Sequence, residues 1–206
     1  MSVFVKQSGR TAEAADCAVA TPSELDQALI GEVARGNKLA MRTLFLRHQV
    51  RVFRFVLRIV RDRIQAEDVM SDVFLEVWQR ADRFEGRSAV STWLLAIARH
   101  KALTALKARP LERLDDDLVL AMPDPARDPE AEVGEKDRGA VLRRCLNDLS
   151  PEHSEIIDLV YYQEKSIKEI AEILGIALNT VKTRMFYARR RLATLLAASG
   201  IEQARA

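Results

Sequence analysis

Asp68, Asp72 and Glu76 recur every fourth residue, and in a helix that spacing sets three carboxylates on one face. No nucleophile, histidine or second type of metal ligand accompanies them, so the chemistry on offer is attraction rather than proton transfer. An acidic stripe can hold cations on a partner helix, or it can be a solvated face or pair internally with nearby arginines. Upstream, Arg47, Arg51, Arg54, Arg58 and Arg61 stand at offsets 0, 4, 7, 11 and 14, within about an 80° sector of a helix. That row reads first as a solvated face. Its second reading is a docking surface for an acidic segment of the chain, an acidic regulator or nucleic acid. Near the C-terminus no acid lies between Glu172 and Glu202, while Lys182, Arg184, Arg189, Arg190 and Arg191 crowd one helix. A helix of one charge sign suits a polyanion. His48 and His153 have no constellation around them and read as structural or surface residues. Cys17 and Cys145 are far apart, so neither a disulfide framework nor a zinc site is expected. With no phosphate-binding glycine loop and no nucleophile elbow, no catalytic role and no cofactor are expected.

The elements that must position these residues are helices. The first 23 residues lack periodicity and read as a disordered tail. Thr21-Pro22-Ser23-Glu24 is a helix start, with a cap, a proline whose missing N–H costs nothing, and a glutamate able to reach back. Gly36 is placed to stop that helix. A second helix is predicted from about Lys38 to Val60, with Met41, Leu44, Phe45, Val52, Val56 and Val60 on its apolar side. A third should run from about Gln65 to Phe84. The loop Glu85-Gly86-Arg87-Ser88 leads to a fourth, ending near Arg109 before Pro110. In that helix Leu95, Ala98, Ala102 and Leu106 take the buried side, which turns Trp93, His100, Thr104 and Lys107 outward; Trp93 has an equal second reading as a core anchor under the preceding loop.

Charge divides the chain further. Residues 24–109 carry a net +6, residues 110–137 a net −7 and residues 138–206 a net +3. The middle segment, with four prolines and ten acids, reads as a linker. As a flexible coil it would span about 30 Å, and fully extended about 90–100 Å. The fold class expected is therefore all-α: two small helical domains, 24–109 and 138–198, joined by an acidic, proline-containing linker, with a short tail at 199–206.

In the second domain Ser150-Pro151 starts one helix, Ile167, Ile170, Ala171 and Leu174 make a short one, and Gly175 breaks it. Ala171, Gly175 and Val181 have the offsets of a helix-turn-helix, in which a small residue lets two helices touch, glycine turns the chain and a branched residue seats the second helix. Val181, Met185, Ala188, Leu192 and Leu195 must then pack inward. Asn179, Thr180, Thr183, Phe186, Tyr187 and Arg190 face out among the cations, as a major-groove helix requires.

The blocks AEDVMSDVFLEVWQRADRF and RSAVSTWLLAIARHKAL, followed by LSPEHSEIIDLVYYQEKSIKEIAEILGIALNTVKTRMFYARRRL, resemble the two conserved domains of extracytoplasmic-function (group IV) sigma-70 family RNA polymerase sigma factors. The resemblance spans about residues 24–109 and 138–198. It implies that the helix of Glu67, Asp68, Asp72 and Glu76 grips core RNA polymerase. It further implies that Arg87, Ser88, Trp93, His100, Thr104 and Lys107 read the promoter element nearest the start site and hold an extruded base. Asn179, Thr180, Lys182, Thr183, Arg184, Phe186, Tyr187 and Arg190 would bind the upstream element as duplex. His100, Thr104 and Tyr187 depart from the residues usual in the family, so promoter preference should not be copied from relatives. Ser71 departs on the polymerase-gripping helix, so the detail of that contact should not be copied either. An anti-sigma protein is an implied partner. With no apolar run long enough to span a membrane and no secretion signal, the cytoplasm is the expected location. The rival reading is a stand-alone helix-turn-helix regulator with an N-terminal dimerisation or sensing half, for which the acidic stripe would have no use.

Overall fold

The computed structural model describes residues 21–108 and 134–199. Cys17 and the greater part of the expected tail and linker lie outside the described residues. The elements are α1 (Pro22–Ala34), α2 (Lys38–Val60), α3 (Arg63–Arg80), a 3-10 turn (Ala81–Arg83), α4 (Val90–Ala108), α5 (Gly134–Asn147), α6 (Pro151–Tyr161), α7 (Ile167–Leu174) and α8 (Leu178–Ala198), with no strand among the described residues.

Local chemistry sets most of the helix ends. Thr21 and Glu24 form a reciprocal capping box, the Thr21 N–H donating to Glu24 Oε2 at 2.7 Å. The last residues assigned to the tail are therefore the first of α1. Gly36 follows that helix at φ 82°, a left-handed conformation in which a side chain would be strained. Asn37 then caps α2 by accepting from the Leu39 and Ala40 amides. The third helix begins at Arg63 rather than about Gln65, because the Asp62 side chain accepts from the Gln65 amide at 3.0 Å. It also stops at Arg80, with the tighter turn continuing toward Phe84. The segment expected as linker up to residue 137 is helical from Gly134 onward.

In the N-terminal half, α2 packs against α1, α3 and α4. Leu44, Val52, Val56 and Val60 are buried, and Phe45 meets Phe74 of α3 edge-on at 4.8 Å. His48 is buried too, and its Nε2 lies 2.8 Å from Asp26 Oδ2 of α1. Burial pushes its pKa down, outweighing the pull of Asp26 in the other direction, so the ring is held neutral at pH 7. Arg47 donates to the second Asp26 oxygen at 2.7 Å. The helix-turn-helix half packs α6, α7 and α8 together, with Ile156, Leu159, Ile170 and Val181 fully covered. Cys145 of α5 is buried, its sulfur 3.5 Å from the Ser199 hydroxyl.

These two halves are not merely tethered. α4 lies against α7 and α2 against α6, and one contiguous apolar cluster runs through both. At the junction the Lys165 ammonium donates to Ser91 Oγ at 2.7 Å, Thr92 Oγ1 at 3.1 Å and Glu169 Oε1 at 3.0 Å. Arg99 reaches both oxygens of Glu155, the nearer at 2.6 Å. Arg58 pairs with the buried carboxylate of Asp158 and stacks 3.8 Å over the Tyr162 ring.

Candidate protein and nucleic-acid interfaces

Three surfaces carry the residues singled out above. On α3, Val69, Val73 and Val77 take the core side, which turns Asp68 and Asp72 to solvent. Neither carboxylate has an ion pair among the described residues. Their expected companions are otherwise engaged: Glu67 takes Arg63 at 3.1 Å, and Glu76 takes Arg80 at 2.8 Å and Lys101 of α4 at 3.0 Å. Glu76 therefore ties α3 to α4, and the acidic face presented outward is the pair Asp68 and Asp72. Two residues that the acidic spacing did not flag belong to the same face. Ile64 and Leu75 are 74% and 54% exposed, and they bracket the acids, Ile64 four residues before Asp68 and Leu75 three after Asp72. Their signal in the sequence is an apolar residue out of phase with the buried valines.

The row of arginines on α2 is not a uniformly solvated face. Arg47 pins α1 and Arg58 pins α6, so these arginines serve as internal fastenings.

On α4, region-to-region packing uses Ser91, Thr92 and Arg99, and the adjacent face leaves His100, Thr104 and Lys107 exposed. The Thr104 hydroxyl donates to the His100 carbonyl at 2.9 Å, leaving its oxygen as an outward acceptor. Trp93 is half-buried, its ring tilted against Phe84 with 5.3 Å between centroids. It is thus a lid over the turn after α3, with one flank still reachable. Arg87 is exposed and pairs with Glu85 at 2.5 Å, and Ser88 beside it is partly covered.

On α8, Gly175 turns the chain at φ 66° and Val181 is wholly buried beneath the second helix. Asn179, Thr180, Lys182, Thr183, Phe186, Tyr187 and Arg190 are all exposed. The Phe186 and Tyr187 rings stand edge to face at 5.5 Å. Arg184 is the exception, turned to Glu152 of α6 at 3.3 Å. The N-cap of α8 is Ala177, which has no capping side chain, so the first-turn amides add to the positive end of the helix.

Comparisons with known proteins agree with this layout. The family model for Sigma-70 region 2 matches residues 44–110, and that for Sigma-70 region 4 matches residues 140–192. The chain is 30% identical over 179 residues to the ECF RNA polymerase sigma factor SigL of Mycobacterium tuberculosis, covering 84% of this chain and 98% of that one. It is 28% identical to the RNA polymerase sigma-H factor of Pseudomonas aeruginosa, covering 82% and 92%. Among solved structures, CnrH in complex with the cytosolic domain of CnrY superposes with a TM-score of 0.63 at 24% identity, covering 84% of this chain and 98% of CnrH. The sigma factor RpoE of Bartonella quintana, solved with the anti-sigma factor NepR, gives 0.59 at 23% identity, covering 76% and 96%.

Proposed function

Because this chain belongs to the extracytoplasmic-function (ECF) family of RNA polymerase sigma factors, we propose a bidentate mode of action resting on the surfaces described above. It is a factor that binds core RNA polymerase and directs promoter-specific transcription initiation. The work is done by binding, in the cytoplasm where polymerase and promoter are. Asp68 and Asp72, with Ile64 and Leu75 on either side, grip a basic helical segment of the polymerase. The outward face of α8 enters the major groove of the upstream element, with Asn179, Thr183 and Phe186 toward base edges and Lys182 and Arg190 toward phosphates. His100, Thr104 and Lys107 meet the element nearest the start site, where Arg87, Ser88 and Trp93 flank the opened strand. Sigma factors of the same fold held by CnrY and by NepR support an anti-sigma protein as a regulator here too. The observation that carries the reading is the division of charge on one chain: on α3 the exposed Asp68 and Asp72, without an ion pair among the described residues, and an acid-free, largely exposed α8.

The test is transcription from promoters supplied both as duplex and already mismatched at the near-start element. Base–aromatic stacking is worth about 1–3 kcal/mol, so Trp93→Ala should slow open-complex formation on duplex and lose much less on the mismatched template. Equal losses on both, with a lowered melting temperature, would reduce Trp93 to a packing partner of Phe84. For the upstream element, Lys182→Ala should weaken binding to all sequences alike and lower the salt slope by about one unit. An unchanged slope would remove Lys182 from the phosphate contacts.

A further inference from the structure

The outer side of α2 carries Leu39, Thr43, Leu46, Val50, Phe53 and Leu57, at offsets 0, 4, 7, 11, 14 and 18. These fall in one stripe about 80° wide. Its two ends differ. Phe53 and Leu57 are 8% and 3% exposed, at the end where α6 lies against α2 and Arg63 sits over the Phe53 ring. Leu39, Leu46 and Val50 are 73%, 56% and 46% exposed. A single bare apolar side chain needs no explanation, but two leucines and a valine on one face, continuing a stripe already packed at its far end, do. The rim is cationic throughout. Lys38, Arg42 and Arg51 are exposed, and no acidic residue occurs between Glu32 and Asp62.

From this we infer that the N-terminal half of α2 is a docking surface for an acidic amphipathic helix of a partner protein, laid along α2 in continuation of α6. Apolar residues of that helix cover Leu39, Leu46 and Val50, and its carboxylates meet Lys38, Arg42 and Arg51. The contact of α6 with the other end sets the pattern, since there too an acidic side chain, Asp158, answers an α2 arginine, Arg58. Bare phosphates would satisfy the cations but leave the apolar stripe wet, which disfavours nucleic acid as the occupant. The surface lies on a different helix from Asp68 and Asp72 and from the α8 face, so it stands or falls apart from the polymerase and promoter assignments.

The probe is a labelled helical peptide of about five turns, with leucines at α2-matching spacing flanked by glutamates. Its fluorescence anisotropy is followed against the full-length protein. Saturable, salt-sensitive binding is expected, weakened about tenfold or more by Leu46→Asp and markedly by Arg42→Glu. A scrambled peptide of the same composition should not bind. Both side chains are exposed, so each variant should keep the wild-type melting temperature. Equal affinity for the scrambled peptide, or indifference to Leu46→Asp, overturns the proposal. So do binding to phosphatidylglycerol vesicles but not to the peptide, a self-association abolished by Leu46→Asp, or peptide binding that emerges only after residues 1–20 are removed. Those three outcomes assign the face to a membrane, a second copy or the chain's own start.

Discussion

Replacing Asp68 and Asp72 together by lysine should abolish co-purification with core RNA polymerase while leaving the far-ultraviolet circular dichroism unchanged. Both side chains are exposed and carry no ion pair among the described residues, so the fold does not depend on them. The partner surface proposed for them is basic, and setting like charges face to face costs several kcal/mol. Glu76→Gln provides the contrast. Glu76 is held by Arg80 and Lys101, so its loss should loosen α3 against α4 and lower the melting temperature while polymerase binding falls far less. Leu75→Asp should weaken binding less than the double reversal, because it loses an apolar contact at the edge of the face while its new carboxylate keeps the sign that a basic partner attracts. Retention of full affinity by the double lysine variant would move the polymerase contact elsewhere on the molecule.

Glu169→Ala is expected to be among the most damaging single substitutions at the junction between the two halves. The Lys165 side chain is 6% exposed there, and Glu169 is the carboxylate that meets it. Removing one partner of a buried ion pair leaves an uncompensated charge. The cost should be about 2–3 kcal/mol, below the range for fully enclosed pairs because Glu169 keeps some contact with water. The double variant Lys165→Met with Glu169→Leu removes both charges and should recover most of that loss. Acid dependence follows from the same carboxylate. Burial pushes the Glu169 pKa up, but hydrogen bonds from Thr92, the Ser166 backbone, Lys165 and the Ser166 hydroxyl together hold it at about 2, against an ordinary 4.5. A depressed carboxylate contributes stability that is complete above 4.5 and is lost as the pH falls toward 2. Thermal unfolding between these limits should therefore be steeper in pH for the wild type than for Glu169→Ala. Hydrogen exchange should show α4 and α7 loosening together in the alanine variant. A melting temperature within about 1 °C of wild type would show that the lysine finds other partners.

Much of this molecule is legible in the sequence because its signals are local. Capping residues, prolines and glycines act on amides within a turn of themselves, which is why the start of α1, the stop at Gly36 and the span Lys38–Val60 can be read directly. Periodicity likewise separates the core side of α8 from its exposed side, Val181 and Ala188 being buried as the stripe requires. The end of α3 was less legible, since a 3-10 turn and an α-helix share nearly the same apolar spacing over one turn.

Pairing across the fold was beyond the sequence. Spacing alone placed Glu76 with Asp68 and Asp72, yet it cannot say that Lys101 comes within 3.0 Å and draws Glu76 inward. The arginine row looked uniform, but Asp26 and Asp158, remote in sequence, claim Arg47 and Arg58. Trp93 has the same phase as His100, and only Phe84 packing against it makes it half-buried. What the sequence alone determined is the helical alphabet of the protein, the segregation of its charge and the two motif blocks that mark its family. Tertiary structure decided which charges remain free to meet a partner and that the two halves share one apolar cluster. The reason is physical: helix periodicity assigns a face, but the desolvation and partner that give a charged side chain its role come from residues far away in the chain.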